Sequence, residues 1–196
     1  MYQRRVSSLI DIEIVGSHVM YTGPKRKPMR APGFDYRDPG PYYVTICTEY
    51  RIHRFGAVVD GRMHLNDPGI MVQAAWQSIP RVFPGVTLDA HVLMLNHVHG
   101  VVTLAVPIDG ALDGEASISD VLQWFKAETT NRYIRGVKRL GWPTFEGKLW
   151  QRGFWDEIVR SDVRMEEIRQ YIDGNPGEWE TDAYYEPEVP TPFRNS

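Results

Sequence analysis

The sequence has a single cysteine, and it has no hydrophobic run approaching the ~20 residues that a membrane-spanning helix needs. Cys47 alone excludes an internal disulfide and a cysteine-rich zinc site, and its apolar surroundings predict a buried core residue. The N-terminal sequence MYQRRVSSLIDIEIVG has no uninterrupted apolar stretch of signal-peptide length. We therefore expect a cytoplasmic protein that does not associate with membranes.

The sequence also lacks an excess of positive charge. Its formal net charge is -3 at pH 7, which argues weakly against a nucleic-acid partner because phosphate-binding domains are usually basic. The last 20 residues hold five of the 25 acidic side chains and one of the 22 basic ones, so the remainder is close to neutral. Basic clusters in that remainder could follow a phosphate backbone, and solvated surface charge explains the same pattern.

Composition divides the chain into three parts. Residues 1–40 are rich in Pro, Gly and Arg and predict a basic N-terminal arm or loop. Residues 177–196 form an acidic, Pro-containing C-terminal tail. Between them, residues 41–176 are expected to form one folded domain, since 196 residues with 42% apolar content fit a single core.

The periodicity of the middle part predicts alternating strands and helices. The run YYVTICT from Tyr42 predicts a strand, and FGAVVDGRMHL predicts a hairpin that turns at Asp60-Gly61. Asp67 followed by Pro68 predicts an N-cap and a helix to about residue 79. The next unit predicts two strands that divide near Asn96, or one bent strand. A helix to about residue 140, a strand and a last helix after residue 161 follow. This order predicts an α+β fold, a ferredoxin-like two-layer sandwich with an antiparallel sheet and helices on one face.

Two histidines stand out in VLMLNHVHGVVTL. His97 and His99 are two residues apart, so on a strand both imidazoles lie on the same face, where they can bind one metal ion. A hydrogen-bonded pair of histidines without metal has the same spacing. There is no third histidine at Val101, so a metal site needs another donor from elsewhere in the chain.

The last helix carries a second candidate pair. Met165, Ile168 and Ile172 recur at helical spacing and are expected to face the core, which leaves Tyr171 and Asn175 at the edge of that stripe, one turn apart. Both side chains can point into the same cleft as the histidines. Core-edge packing for the tyrosine and a helix stop at Asn-Pro are the plainer interpretations.

Four blocks in order give the chain a family resemblance. APGFDYRDPGPYYVTICTEYR, MLNHVHGVV, WQRGFWDEIVR and IRQYIDGNPGEWE together resemble the REP-associated tyrosine transposases, within the HUH single-tyrosine transposases of the IS200-like group. One departure is Glu157, which stands where related chains often have a histidine after an acidic residue. The resemblance identifies residues 41–176 as the HUH transposase-like catalytic domain.

The resemblance implies a role for each candidate residue. His97 and His99 correspond to metal ligands, Tyr171 to the nucleophile and Asn175 to a third ligand. The implied activity is that of a metal-dependent single-stranded DNA endonuclease and strand transferase, which acts on hairpin-forming repeats through a 5′-phosphotyrosine intermediate. The implied divalent metal is Mg²⁺ or Mn²⁺. Magnesium prefers oxygen ligands and manganese tolerates imidazole better, so the residue types do not choose between the two metals. Relatives act as monomers or as homodimers, and both states stay open.

Contacts with single-stranded or hairpin DNA are predicted for a set of basic side chains: Arg4, Arg5, Lys25, Arg26, Lys27, Arg30, Lys126 and Arg152. Trp150, Phe154 and Trp155 can stack on an unpaired base, although core packing is the simpler role for them.

Two alternative functions are open at this point. A host-adopted, non-cleaving hairpin DNA-binding protein derived from a transposase would have the same fold without needing an intact site. A histidine-dependent phosphoesterase that acts on small nucleotides would not need Tyr171, and the absent third histidine disfavours it.

Overall fold

The computed structural model describes the backbone of residues 12–15 and 18–21 and the full residues 37–106 and 116–186. Eight strands and four α-helices lie in these parts: β1 (Ile12–Val15), β2 (His18–Tyr21), β3 (Gly40–Cys47), β4 (Gly56–Val59), β5 (Arg62–Leu65), α1 (Asp67–Gln77), α2 (Ile79–Val82), β6 (Val86–Leu93), β7 (His97–Leu104), α3 (Ile118–Leu140), β8 (Trp155–Ile158) and α4 (Asp162–Gly174). None of these helices is both long and apolar enough to cross a membrane.

A four-stranded antiparallel sheet organises the domain. Its strand order is β6-β7-β3-β8, and every neighbouring pair is antiparallel. Strand β3 connects through α1 to β6 with β7 lying between them, and β7 connects through α3 to β8 with β3 lying between them. Two such split β-α-β units make the ferredoxin-like arrangement, so the predicted α+β class and antiparallel sheet are confirmed.

The helices cover both faces of the sheet, whereas the sequence led us to expect one. Tyr42, Val44 and Ile46 of β3 pack in the main core with residues of α1 and α3. The alternate residue Tyr43 faces the other way and packs with Ile168 and Ile172 of α4. Both sets of alternate residues in YYVTIC are apolar or small because helices cover both faces of the sheet at this strand. Helix α4 therefore lies on the face opposite α1 and α3.

Helix ends are set by local side-chain caps. Ser117 caps α3 through a capping box with Asp120, and Gly141 ends that helix in the left-handed conformation at φ 69°. The prediction that Asp67 caps α1 was wrong by one residue. The side chain of Asn66 accepts the hydrogen bond from the Gly69 amide, and Asp67 begins the helix.

The chain turns back over the sheet after α4. Trp179 lies in a short 3-10 turn and is buried against Met94 and Leu95, next to the histidine strand. Residues 180–186 then run along the edge of the cleft between β7 and α4. Thus the first ten residues of the predicted tail pack against the domain, and the hairpin of β1 and β2 lies within the predicted arm.

Candidate metal and nucleophile site

His97 and His99 lie at the centre of the sheet face that α4 covers. They pair in register with Cys47 and Thr45 of β3. Both side chains are buried, at 0% and 1% exposure, and their ring centroids are 4.4 Å apart. The predicted shared face is confirmed, because alternation along β7 sends both imidazoles to one side and Val98 into the main core.

The protonation of His97 is fixed by Asn96. The Asn96 amide nitrogen donates to the backbone oxygens of Arg51 and Tyr184, at 3.0 and 3.1 Å, so its side-chain oxygen faces the ring. That oxygen lies 2.7 Å from His97 Nδ1. Because an amide oxygen can only accept, Nδ1 must carry the proton, which leaves Nε2 with a free lone pair.

The ring of His99 is held from the other side. Its Nδ1 lies 2.8 Å from Thr45 Oγ1 and 3.0 Å from the Tyr43 hydroxyl, and either oxygen can accept the Nδ1 proton. In that tautomer Nε2 presents its lone pair to the cleft. Such partners on the second ring nitrogen are typical of metal-binding histidines, since they orient the ring and select the tautomer.

Burial keeps both rings uncharged. It lowers the pKa of His97 well below the ordinary range, and the neighbouring His99 and Arg51 act in the same direction. Burial also lowers the pKa of His99 to about 4. Neutral imidazole is the form that binds a metal ion, so the pair is in its ligand form at neutral pH.

Two oxygen donors complete the cluster. The ligand atoms of His97, His99 and Asp182 all lie within 4.8 Å of one another. Asn175 is buried at 2% exposure and donates from its amide nitrogen to Asp182 Oδ2. Among the described residues, nothing hydrogen-bonds to His97 Nε2 or to Asn175 Oδ1. The unpartnered His97 Nε2 and Asn175 Oδ1, together with His99 Nε2 and the Asp182 carboxylate, are a ligand set that fits a divalent cation.

Tyr171 lies at the mouth of this cluster. Its hydroxyl donates to Asp182 Oδ2 at 2.7 Å and lies 3.4 Å from His99 Nε2, and its side chain is 40% exposed. Burial raises its pKa above the ordinary value, and the hydrogen bond to Asp182 adds to this. The phenol is therefore protonated at neutral pH, so an attack through its oxygen requires loss of that proton.

Asp182 and Tyr184 also belong to the site, although neither was predicted from the sequence. The Tyr184 ring lies over both histidines, with centroids 5.0 and 5.3 Å away, and its amide donates to Asp182 Oδ1. Arg51 places its guanidinium 5.3 Å from the Tyr184 ring centroid and 3.3 Å from Glu186. Asp182, Tyr184 and Glu186 lie in the segment that the sequence predicts to be an acidic, Pro-containing C-terminal tail. Trp179 is buried where the chain turns back over the sheet, and Tyr184 and Tyr185 follow it. These aromatic residues are the sequence feature that could have indicated packing of this segment against the domain.

The predicted DNA-contacting residues divide into three groups. Lys126 points inward and donates to the backbone oxygens of Gln151 and Gly153, at 3.0 and 2.6 Å, and burial lowers its pKa to about 8. Arg152 is exposed. The six others lie outside the described residues: Arg4, Arg5, Lys25, Arg26, Lys27 and Arg30.

The three candidate stacking aromatics also separate. Trp150 is a core residue at 4% exposure, and its ring nitrogen donates to Thr129. Phe154 packs at the margin of the same core. Trp155 is 40% exposed and lines the cleft beside Tyr171.

Comparison with known proteins identifies the family. The model of the family described as transposase, IS200-like, matches residues 42–175. An uncharacterized protein of Haemophilus influenzae is 30% identical over 167 residues, which cover 82% of this chain and 93% of that one. A solved REP-associated tyrosine transposase bound to a REP hairpin superposes with a TM-score of 0.51 at 19% identity, covering 76% of this chain and 74% of that chain.

The chain has a ferredoxin-like sheet with a histidine pair on a central strand and a tyrosine on the helix that covers it. The chain belongs to the IS200-like transposase family, because the family match spans more than half of its length. The resemblance to the IS200-like group is confirmed, and the solved REP-associated transposase has the same fold. Asp182 and Tyr184 lie beyond the matched segment, so the family pattern alone does not point to them.

Proposed function

We propose that the protein is a metal-dependent single-stranded DNA endonuclease and strand transferase that acts on hairpin-forming repeats. The observation that carries the proposal is the juxtaposition of the Tyr171 hydroxyl with His97, His99, Asn175 and Asp182 in one cleft. All of these residues come from one chain, so a single copy has a complete site and the proposal needs no second subunit.

The donor set suits one divalent ion, Mg²⁺ or Mn²⁺. His97 Nε2, His99 Nε2, Asn175 Oδ1 and an Asp182 oxygen would hold it, and the two oxygen donors make magnesium as admissible as manganese. When bound, such an ion neutralises charge that develops on a phosphoryl oxygen. The family resemblance implies Asn175 as the third ligand, and Asp182 is an additional ligand in this proposal.

The protein residues supply nucleophile and orientation. Tyr171 Oη attacks the phosphorus of a DNA phosphodiester, the bond from phosphorus to the 3′ oxygen of the preceding nucleotide breaks, and a 5′-phosphotyrosine and a free 3′-hydroxyl result. The phenol proton leaves as the new bond forms, and the 3′ oxygen gains a proton. A later attack by a 3′-hydroxyl on the phosphotyrosine reverses these steps. Because the phosphotyrosine ester replaces the cleaved phosphodiester, rejoining needs no external energy source.

Adduct formation tests this proposal. Purified protein is incubated with labelled single-stranded hairpins taken from repeats that flank its own gene, with Mn²⁺ or Mg²⁺, and denaturing gels are read for a covalent protein-DNA species. We expect an adduct that a chelator abolishes and that Tyr171→Phe lacks. Tyr185→Phe is the matched control, because Tyr185 is 39% exposed in the same region and contacts Trp179 instead of the histidines.

Tight hairpin binding without any adduct would contradict the nuclease proposal. It would support instead the non-cleaving hairpin DNA-binding protein. An adduct that persists in Tyr171→Phe would show that another residue is the nucleophile.

A further inference from the structure

A cavity of about 260 Å³ opens directly beside the Tyr171 hydroxyl. Four aromatic side chains line it, and they come from four different parts of the chain: Tyr43 of β3, Trp155 of β8, Tyr171 of α4 and Tyr184 of the returning segment. His99 lines the same cavity, so it is continuous with the proposed metal and nucleophile site.

The aromatic rings make a defined frame. Tyr43 meets the Trp155 ring edge-on, with centroids 5.4 Å apart, and meets Tyr171 in the same way at 6.4 Å. Tyr43 is buried at 6% exposure, and Trp155 remains 40% exposed although its strand partner Thr45 is buried. The large exposed surface of Trp155 thus faces an open space next to the reactive hydroxyl, and that surface is available to a ligand.

The charges at the rim do not favour a phosphate there. Arg164 is the cation that lines the cavity, and it donates to both carboxylate oxygens of Glu157, at 2.7 and 2.9 Å, and to Glu167 at 3.0 Å. Two carboxylates compensate its charge, so the rim is neutral to acidic. An aromatic cavity with hydrogen-bonding groups at its rim suits a flat, uncharged, heteroaromatic ligand.

We propose that this cavity holds one unpaired nucleobase of the substrate strand, a neighbour of the phosphodiester that Tyr171 attacks, and that Trp155 is the residue on which the base stacks. The inference rests on the proposed function, because it takes the substrate to be single-stranded DNA. Stacking of this kind orients the strand relative to Tyr171 with little dependence on base identity, since every base has an aromatic face. Arg164 and Glu167 supply the polar groups that can distinguish base edges.

An abasic scan combined with a Trp155 substitution tests the inference. Binding of the full-length protein to fluorescein-labelled hairpins with a single-stranded flank is measured by fluorescence anisotropy, with a chelator present so that nothing is cleaved. Each flanking nucleotide is replaced in turn by an abasic site. In the unsubstituted protein we expect one position whose base removal weakens binding about 5-fold or more, as loss of a stacked base does.

In Trp155→Ala the penalty at that one position should fall to below about twofold, while the other positions keep theirs, because base and ring form a coupled pair. Trp155→Phe retains an aromatic face and should keep most of the penalty. Val163→Ala is the control, because Val163 is 72% exposed on the first turn of α4 and does not line the cavity. Trp155→Leu replaces Trp155→Ala if circular dichroism shows that the latter is unfolded.

The outcomes separate the two proposals. An adduct at Tyr171 together with a scan in which no position is coupled to Trp155 overturns the base-binding inference alone. A coupled position without any adduct supports base capture and contradicts the nuclease proposal. A protein that binds no single-stranded flank overturns the inference outright.

Discussion

Asn96 gives the sharpest test of how the histidine pair is prepared for metal binding. Its side chain is fully buried and takes part in three hydrogen bonds: the amide nitrogen donates to two backbone oxygens, and the side-chain oxygen accepts from His97 Nδ1. In Asn96→Ala, His97 loses the acceptor that fixes its tautomer, and two backbone oxygens lose a donor. Partners of this kind are typically worth 10- to 100-fold in metal affinity, or about 1.4–2.8 kcal/mol.

The substitution should also cost folding stability. Each buried polar group left without its partner costs about 1–3 kcal/mol, partly recovered where water enters, so the free energy of unfolding should fall by roughly that amount. Mn²⁺ affinity is measured by isothermal titration calorimetry and stability by urea denaturation in chelator. The shift in thermal midpoint that saturating Mn²⁺ produces should shrink in the variant, because a weaker ligand stabilises the fold less.

Asn96→Asp is the matched control. It keeps an acceptor opposite His97 Nδ1 and loses the two donor contacts, so it should be destabilised while retaining Mn²⁺ affinity within about threefold of the unsubstituted protein. If a folded Asn96→Ala binds Mn²⁺ as tightly as the unsubstituted chain, the argument that Asn96 selects the ligand tautomer fails.

Three further substitutions and one control substitution test other parts of the structure. Asp182→Ala removes the proposed charged ligand and should weaken Mn²⁺ binding by about tenfold or more in calorimetry, at least as much as loss of a supporting partner does; unchanged affinity would restrict the ligands to His97, His99 and Asn175. Glu157→Gln breaks the bidentate pair with Arg164 and should lower the free energy of unfolding by about 0.5–1 kcal/mol. Because Arg164 lowers the pKa of Glu157, that difference should be present at neutral pH and disappear as acid protonates the folded carboxylate; a difference that persists at low pH would contradict the ion-pair explanation. Gly100→Ala puts a methyl group 2.3 Å from the Trp76 ring and should destabilise by about 1–3 kcal/mol, whereas Gly174→Ala, with no heavy atom within 4 Å, should be neutral or slightly stabilising; equal midpoints in urea would refute the packing argument.

Much of the site could be predicted from local sequence pattern. The i, i+2 spacing of His97 and His99 determines a shared face on any strand, and the apolar spacing of Ile168 and Ile172 determines which side of α4 is buried. Tyr171 then lies at the edge of that buried stripe. These inferences succeed because each depends on one element only.

The features that were not predicted correctly depend on contacts between segments that are far apart in the sequence. Asp182 is 83 residues from His99 along the chain, and the polar sequence around it gives no periodicity from which its place could be derived. The prediction of helices on one face failed similarly. The helical spacing of its apolar residues shows only that α4 has an apolar side. Its packing against Tyr43 and Val101 decides which face of the sheet it covers.

The placement of Tyr171 depends on how firmly α4 is held, and Glu157 contributes to holding it. The Glu157 carboxylate of β8 accepts two hydrogen bonds from the Arg164 guanidinium of α4. On the opposite side of the helix, the Arg169 guanidinium donates two hydrogen bonds to the Asp89 carboxylate of β6 in the same geometry. Planar two-bond pairs fix direction as well as distance. With Ile168 and Ile172 buried between them, α4 is tied to both outer strands of the sheet, and the phenol of Tyr171 is thereby held over the histidines between those strands.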